Sequence, residues 1–550
     1  FTKVSENIQL NGFTEPFACY KGMVNGQETF IYLETGPNAP VIQEAPDDRF
    51  VMYTGSTTTN INGKVITGDV KHNDADFVRM VSAGSVATLY GTATFNADGT
   101  LTYVLAANAA TLMGAGTTTV KDYITYEYED SLGVTHQKTV EVVVVRDAAG
   151  KWDSPDDVDG ETHQTYVDIN SGSNASVTQG AGTGNDTMRS DFCLQNANVE
   201  FGDGDDVLQM NQYGIQLYSS HIDMGEGNNL LELKNSSIGM YYSTLLSGVG
   251  NDTVKISMDA LNGYTLLSSI IDTGSGDDSV YLFNKSGSVV YANLPNDVAG
   301  IYLGAGNDFL HVETECDTRA AMVSAQTDLT VDAGEGDDFI TINSPYQAIY
   351  NSYSVKKISL LAGEGNDTVN ITGRVFGNGA VNKANTLVDL GAGNDQLTLT
   401  TSAGNAAVTN ATVLGGAGND SMRISTGAVM TDAAIDGGEG TDILRLESSV
   451  LNLAAVGTGT TLKGGTDAAG DLIDRPAGDG TTHQIGDMLS LDRNLSVDSN
   501  GTATGSTGTG TFAFGGITSA NTTGFEALHL DYTGGTGKDL VDIESVLRDF

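Results

Sequence analysis

Residues 329–342 read LTVDAGEGDDFITI, and this stretch decides the fold. Apolar and polar side chains alternate before the glycines, and the same alternation resumes after the second of the two adjacent aspartates. A period of two residues is typical of a β-strand with one buried face. The stretch therefore predicts a strand, a tight glycine turn and a second strand, followed by a loop of variable length.

The glycine turn recurs eleven times between residues 182 and 446, at spacings of 20 to 30 residues. Each copy reads Gly-x-Gly-[Asn/Asp]-Asp-x-apolar, except that Asn229 replaces the aspartate in one copy and Thr441 precedes it in the last. One such unit cannot bury its apolar face alone, so successive units are expected to stack with parallel strands about 4.8 Å apart. The repeat predicts an all-β protein built on a parallel β-solenoid, of the β-roll or β-helix type, with eleven coils.

The residue types at this turn predict a calcium site. Glycine allows a positive φ and brings carbonyl oxygens close together, and the aspartate adds a hard anionic oxygen at the same corner. A shell of oxygens favours Ca²⁺ over zinc or copper, which prefer His or Cys, and the seven histidines are scattered. The predicted metal-ligand residues are Gly182, Gly184, Asp186, Gly202, Gly204, Asp206, Gly225, Gly227, Asn229, Gly248, Gly250, Asp252, Gly274, Gly276, Asp278, Gly304, Gly306, Asp308, Gly334, Gly336, Asp338, Gly363, Gly365, Asp367, Gly391, Gly393, Asp395, Gly416, Gly418, Asp420, Gly438, Gly440 and Asp442.

These repeats resemble the glycine- and aspartate-rich repeats of the RTX (repeats-in-toxin) family over roughly residues 180–446. The resemblance implies a parallel β-roll in which aspartate carboxylates and turn carbonyls hold Ca²⁺ between turns. Repeats of that family usually follow one another about every nine residues and place calcium on both edges, whereas this motif occurs once per coil. We therefore expect one ladder of about ten Ca²⁺ ions on one edge and calcium-free loops on the other. Asn229, Thr441 and Val249 are expected to weaken their own sites.

The charge of the chain agrees with a cation-binding role. Seventy acidic against 26 basic side chains leave a net charge of −44 at pH 7. Such a surface repels phosphate, so nucleic acid is excluded as a partner. About ten Ca²⁺ ions would carry about +20 and neutralise nearly half of this charge. The sequence contains no run close to the ~20 apolar residues that a transmembrane helix needs.

The remaining regions differ from the repeats in residue pattern. Residues 43–148 contain long alternating runs and resemble a VCBS or cadherin-like β-sandwich module of large bacterial adhesins, with a buried strand at Val140–Val145 and a hairpin turn at residues 96–99. Asn73, Asp74 and Asp76 are either a further calcium site or an Asx-rich turn. The other expected regions are a small N-terminal β segment at 1–42, a linker at 149–175, the solenoid at 176–446 and a β cap over its open end at 447–550.

The three cysteines do not indicate a disulfide framework. Cys19, Cys193 and Cys316 are odd in number and far apart, and we expect the last two to be small buried apolar residues. The chain begins with Phe1 and carries no basic-plus-apolar leader, which is expected of a processed product or a fragment.

The sequence predicts a non-enzymatic protein, because it contains neither an HExxH nor a GxSxG motif. The hypothesis is a secreted or cell-surface structural or adhesive protein, such as an adhesin, a biofilm-matrix filament or a surface-layer component, whose repeats fold on Ca²⁺ after export. Its expected partners are calcium ions, and copies of itself or cell-surface and matrix components. The alternative is a polysaccharide-acting lyase or epimerase on the solenoid face, with Arg374 or Lys356 and Lys357 as candidate basic groups.

Overall fold

The described part of the chain is nearly all β, with 66% of its residues in strands and 2% in helix. The computed structural model describes residues 48–53, 63, 65–71, 77–114, 119–145, 184–190, 193–211, 213–234, 236–259, 263–292, 299–324, 328–351, 357–377, 386–448 and 459–466, and the backbone of the strands at 2–8, 17–24, 27–34, 164–169, 178–179, 473–476, 482–485, 488–492, 522–523 and 527–531. The chain divides into two compact units, of which the first takes most residues up to Val145 and the second most of those that follow.

The first unit consists of antiparallel sheets, and its apolar core is formed by residues between Phe50 and Val144. Its strands are Thr2–Ile8, Phe17–Val24 and Gln27–Glu34 in one sheet, Val65–Asp69, Thr100–Leu105, Gly91–Phe95 and Gly84–Ala87 in a second, and Phe77–Met80, Thr119–Asp130 and Thr135–Val145 in a third, with a further strand at Asp48–Tyr53 and a short helix at Ala109–Met113. Phe50, Tyr103 and Tyr126 are fully buried in the core.

Two local predictions for this unit are confirmed. All six residues from Val140 to Val145 are buried at the end of a strand. The hairpin turn joins Gly91–Phe95 to Thr100–Leu105, and the N–H of Gly99 donates to the carbonyl of Asn96 at 3.1 Å. The predicted further cation site at residues 73–76 lies outside the described residues.

The second unit is a parallel β-solenoid of about nine turns. Its strands form three stacks, which we name after their place in each coil. The first stack precedes the glycine turn and contains Thr178–Gln179, Asn198–Glu200, His221–Asp223, Thr244–Leu246, Ile270–Asp272, Ala299–Ala305, Leu329–Glu335, Ile358–Glu364, Thr386–Ala392, Thr412–Ala417, Ala434–Glu439, Thr461–Thr466 and Thr522–Thr523. Each strand pairs with the equivalent strand of the next coil, always in parallel.

The second stack follows the glycine turn. It contains Thr187–Ser190, Val207–Asn211, Leu230–Lys234, Thr253–Met258, Ser279–Asn284, Phe309–Thr314, Phe339–Asn351, Thr368–Gly377, Gln396–Thr400, Ser421–Thr426, Ile443–Ser448, Met488–Asp492 and Ala527–Asp531. The apolar residues two and four positions after each aspartate, such as Leu310 and Val312, pair in register with their equivalents and are buried. The period-two pattern thus marks the core face, as the sequence predicts.

A third stack lies where the sequence predicts only a loop. It contains Leu194–Gln195, Ile215–Tyr218, Ile238–Tyr241, Tyr264–Leu267, Ser288–Ala292, Ala320–Ser324, the second halves of Phe339–Asn351 and Thr368–Gly377, and Val408–Thr409. These segments are two to five residues long, too short for a clear alternation. They give a coil its third side, and within the described residues nine coils have all three strands.

The other described strands are Gln164–Ile169 and an antiparallel pair formed by Ile473–Pro476 and Thr482–Ile485. The predicted all-β fold, with a parallel solenoid after a separate β domain, is confirmed. The burial predicted for two cysteines is wrong, because Cys193 and Cys316 are both half-buried near strand ends rather than in the core.

Candidate metal-binding ladder

The glycine turns stack so closely that a side chain has no room. In ten successive copies, from Gly202 to Gly440, both motif glycines have a positive φ. A Cβ added at Gly336 would lie 1.7 Å from the carbonyl oxygen of Gly306, the equivalent residue one coil earlier. Carbonyl oxygens of one turn therefore point at the glycines of the next, which concentrates partial negative charge at this corner.

The eleven acidic-position residues of the motif form a continuous chain of hydrogen bonds, which we call the inner ladder. The backbone N–H of each residue donates to Oδ1 of the equivalent residue one coil later, at 2.6 to 2.9 Å. The members are Asp186, Asp206, Asn229, Asp252, Asp278, Asp308, Asp338, Asp367, Asp395, Asp420 and Asp442. All are at most 3% exposed, so the ladder is a buried single file of side chains.

The second carboxylate oxygen is left without a partner along most of the inner ladder. Oδ2 is buried and accepts no hydrogen bond from the described residues in Asp206, Asp252, Asp278, Asp308, Asp338, Asp367, Asp395 and Asp420. A buried polar atom without a partner costs about 1–3 kcal/mol, and more when it is charged. Neighbouring carboxylates one strand spacing apart also repel by about 3 kcal/mol at an effective dielectric constant of about 20. A bound proton or cation at Oδ2 would therefore stabilise the inner ladder.

Burial raises the pKa values of these carboxyl groups. Desolvation is the largest cause, and it brings the pKa of Asp252, Asp278 and Asp338 to about 7 and that of Asp308 to about 6. For Asp206, the nearby negative charge of Asp186 adds to desolvation and brings the pKa to about 9. Because these pKa values lie near neutral pH, either a proton or a cation can neutralise the carboxylates.

Asn229 shows what surrounds the Oδ2 position, because its Nδ2 takes the equivalent place. Nδ2 donates to the carbonyl oxygens of Gly225 at 3.3 Å, of Gly227 at 3.2 Å and of Ser247 in the next coil at 3.2 Å. Since the turns stack in register, we infer that an aspartate Oδ2 takes the position of this Nδ2, near the equivalent three carbonyls. Separations of 3.2–3.3 Å are close to those between neighbouring oxygens in a shell that lies about 2.3–2.6 Å from Ca²⁺. The residues present therefore fit a calcium ion.

Each rung would supply one carboxylate and several peptide oxygens. Within the described ranges, no three or more His, Cys, Asp or Glu side chains lie together as a metal-binding group. The structure thus places the predicted acidic residues in a single row, one per coil, next to the predicted glycines. Gly182 lies outside the described residues. The sequence reasoning missed the carbonyl five positions before each acid, as at Ser247, because a backbone oxygen leaves no signature in the residue type.

The residue just before each acid forms a second chain of hydrogen bonds on the surface, which we call the outer ladder. Here the backbone N–H donates to Oδ1 of the equivalent residue one coil earlier, at 2.7 to 3.0 Å, opposite in direction to the inner ladder. Amide and backbone donors of Asn366 lower the pKa of Asp337. Asn or Asp occupies this position in every copy but the last, where Thr441 stands, and the Oδ1 of each Asn or Asp already accepts an N–H from the next coil. The outer ladder therefore links neighbouring coils without a metal ion.

The basic group proposed for a catalytic alternative has a packing role. The guanidinium carbon of Arg374 lies 4.8 Å from the centre of the Phe376 ring, in a cation–π contact on the third stack. The Phe376 ring also stacks on Tyr350 of the preceding coil, with centroids 5.6 Å apart. Lys357 donates its backbone N–H to Asp328 at 2.7 Å, and Lys356 lies outside the described residues.

Stability in metal-free buffer is expected to rise as the pH falls from about 8 to about 5. The folded-state pKa values of about 6–7 exceed the ordinary aspartate value of about 3.9, so the folded state binds more protons in this window. A protonated Oδ2 can donate to the turn carbonyls as the Asn229 amide does. Thermal unfolding followed by circular dichroism at several pH values measures the effect. A midpoint that falls on acidification contradicts it.

Comparison with known protein families places residues 37–143, about a fifth of the chain, against the family model described as Bacterial Ig domain (Big_9). The match covers most of the first unit, so the module predicted at 43–148 is an Ig-like β domain. No RTX repeat family is identified in the chain. No curated protein matches the sequence.

Proposed function

We propose that the chain is an extracellular structural or adhesive protein of a bacterial surface whose solenoid folds when Ca²⁺ binds along the inner ladder after secretion. The proposal includes three kinds of such protein: an adhesin, a biofilm-matrix filament and a surface-layer component. The observation that carries the proposal is the row of buried Oδ2 atoms, in aspartates such as Asp278, Asp308 and Asp338, that have no hydrogen-bond partner among the described residues.

Calcium is the cation that this corner suits best. Its shell accepts six to eight oxygens in flexible geometry, including backbone carbonyls, whereas Mg²⁺ requires a near-ideal octahedron and keeps its waters. Modules that work outside the cell bind Ca²⁺ with Kd values of about 10⁻⁴–10⁻³ M. At the low calcium of the cytosol the anionic ladder would stay uncompensated, and millimolar calcium outside would couple binding to folding. The chain would thus be exportable before it folds.

The domain combination supports the surface assignment. An Ig-like domain and a β-solenoid fit a surface or adhesin-type protein. In the part of the chain that the structure describes, no helix is long and apolar enough to cross a membrane. Aromatic rows on the outer solenoid faces, such as the stacked rings of Phe309 and Phe339 at 5.6 Å, offer contact area for a second copy or a matrix component.

Equilibrium dialysis of the full chain against Ca²⁺, Mg²⁺ or Zn²⁺, with the bound metal counted by elemental analysis, tests the metal part of the proposal. We expect up to ten Ca²⁺ per chain, one for each aspartate of the inner ladder, with Mg²⁺ and Zn²⁺ bound far more weakly. Electron microscopy of the same samples tests whether calcium drives assembly into filaments or lattices. A chain that is fully folded and binds no calcium contradicts the proposal.

The proposal assigns no catalytic activity to the chain. Arg374 packs on an aromatic ring, and the inner-ladder carboxylates are buried rather than open to a polymer. Incubation of the calcium-loaded chain with alginate or pectin is expected to release no unsaturated product and to leave the sugar composition unchanged. Product formation in either assay would replace the structural proposal with the lyase or epimerase alternative.

A further inference from the structure

Asn229 is the one member of the inner ladder that carries an amide. The residue is 3% exposed, and its Oδ1 accepts the backbone N–H of Asp206 at 2.9 Å, as an aspartate Oδ1 does at other rungs. Its Nδ2 donates to three peptide carbonyls, two in its own coil and one at Ser247 in the next. We propose that the Asn229 amide takes the place of the cation at its rung and joins these coils without calcium.

The orientation of the amide is fixed by its partners. Rotating the amide by half a turn would set Nδ2 against the N–H of Asp206 and Oδ1 against the carbonyls of Gly225 and Gly227. Both contacts would then pair like with like, donor with donor and acceptor with acceptor. The N–H groups of Asn229 therefore occupy the space in which a cation would lie. The rung therefore excludes the ion, whereas the sequence predicts only a weakened site.

The neutral rung also divides the inner ladder. Asp206 and Asp252 lie two coils apart, about 9.6 Å by strand spacing. The residue between them, Asn229, is neutral, so each of the two has a carboxylate neighbour on one side only. The coils between residues 225 and 252 are held by hydrogen bonds that need no metal. We infer that this segment keeps its coil-to-coil contacts at the lowest calcium concentration and gives the neighbouring coils a template on which to stack.

The inference rests on the proposed calcium ladder, and Asn229→Asp tests it in the full chain. The matched control is Asn251→Asp, which adds the same charge one coil later on the exposed outer ladder, where Asp277 is the next residue in the file. We expect Asn229→Asp to bind one more Ca²⁺ per chain and to unfold at lower temperature in metal-free buffer. Asn251→Asp should match the wild type in both measurements.

A second variant, Asp308→Asn, keeps the proposal testable if Asn229→Asp does not fold. Asp308→Asn sits in the middle of the inner ladder, where Oδ1 accepts the N–H of Asp278 and Oδ2 lacks a partner among the described residues. We expect it to bind one Ca²⁺ fewer per chain and to be more stable than the wild type in metal-free buffer. Hydrogen exchange at the Asp278 amide should slow accordingly.

The outcomes separate the inference from the proposed function. If the wild type binds no Ca²⁺, the proposed function fails. In that case, if Asn229→Asp but not Asn251→Asp is less stable than the wild type in metal-free buffer, the result still supports the hydrogen bonds of the Asn229 amide. The proposal that the Asn229 amide replaces the cation is overturned by either of two results. One is that the wild type binds Ca²⁺ but Asn229→Asp gains no ion, and the other is that Asn229→Asp is as stable as the wild type in metal-free buffer. Unchanged calcium content in Asp308→Asn overturns it as well.

Discussion

Removing calcium is expected to destabilise most of the second unit, so that its coils open far more often, while the stability of the first unit stays unchanged. Eight buried Oδ2 atoms without partners among the described residues, at about 1–3 kcal/mol each, amount to about 8–24 kcal/mol, which is comparable to or larger than the usual 5–15 kcal/mol of folding stability. The first unit has its own apolar core around Tyr103 and Tyr126 and contains no part of the inner ladder. Hydrogen exchange of the full chain, read by mass spectrometry in calcium and in metal-free buffer, separates the two responses.

The expected pattern is specific to residue position. Inner-ladder amides such as those of Asp252 and Asp308, which donate to the next coil at 2.7 Å, should lose protection in metal-free buffer. Amides of the strand Thr135–Val145 should keep theirs and serve as the internal control. Added calcium should restore the ladder, and the same concentration of Mg²⁺ should not. Equal protection throughout the solenoid with and without calcium would refute the dependence.

Gly336→Ala is expected to destabilise the solenoid by about 3–5 kcal/mol. Its Cβ would lie 1.7 Å from the carbonyl oxygen and 2.5 Å from the carbonyl carbon of Gly306, and backbone atoms of a stacked coil cannot move aside. The residue also has a φ of +129°, which costs a side chain about 1–2 kcal/mol. Denaturant unfolding monitored by circular dichroism in saturating calcium measures the loss.

Gly404→Ala is the matched control for that substitution. Gly404 also has a positive φ, +87°, but an added Cβ there meets no atom within 4 Å. Its cost should therefore be the conformational term alone, about 1 kcal/mol. The difference between the two variants isolates the contact between turns. Equal losses would mean that the turns do not stack as closely as the structure shows.

The strands next to the glycine turn could be read from the sequence because burial there follows a strict period of two. Leu310 and Val312 alternate with exposed or half-buried neighbours, and their equivalents do the same in nearly every coil. The third stack could not be read in this way. Segments such as Ile215–Tyr218 carry consecutive buried residues and few positions, so their pairing is decided by the coils above and below.

The candidate site was predictable in its residues but not in its bonding. The sequence identifies the acidic positions and their glycines, yet it does not tell which carboxylate oxygen is used for the ladder. In the structure Oδ1 of Asp338 is taken by the N–H of Asp308, and only Oδ2 is left for another partner. The effect of Asn229 likewise depends on three carbonyls from two coils. Residue type alone predicts only a weaker site.

Anomalous diffraction from crystals of the full chain grown in calcium tests the central claim most directly. We expect a row of anomalous peaks at the glycine corner, each about 2.3–2.6 Å from an aspartate Oδ2, from Asp252 through Asp420, with no peak at Asn229. Calcium peaks only on the surface, with each Oδ2 hydrogen-bonded to water or protonated, would contradict it.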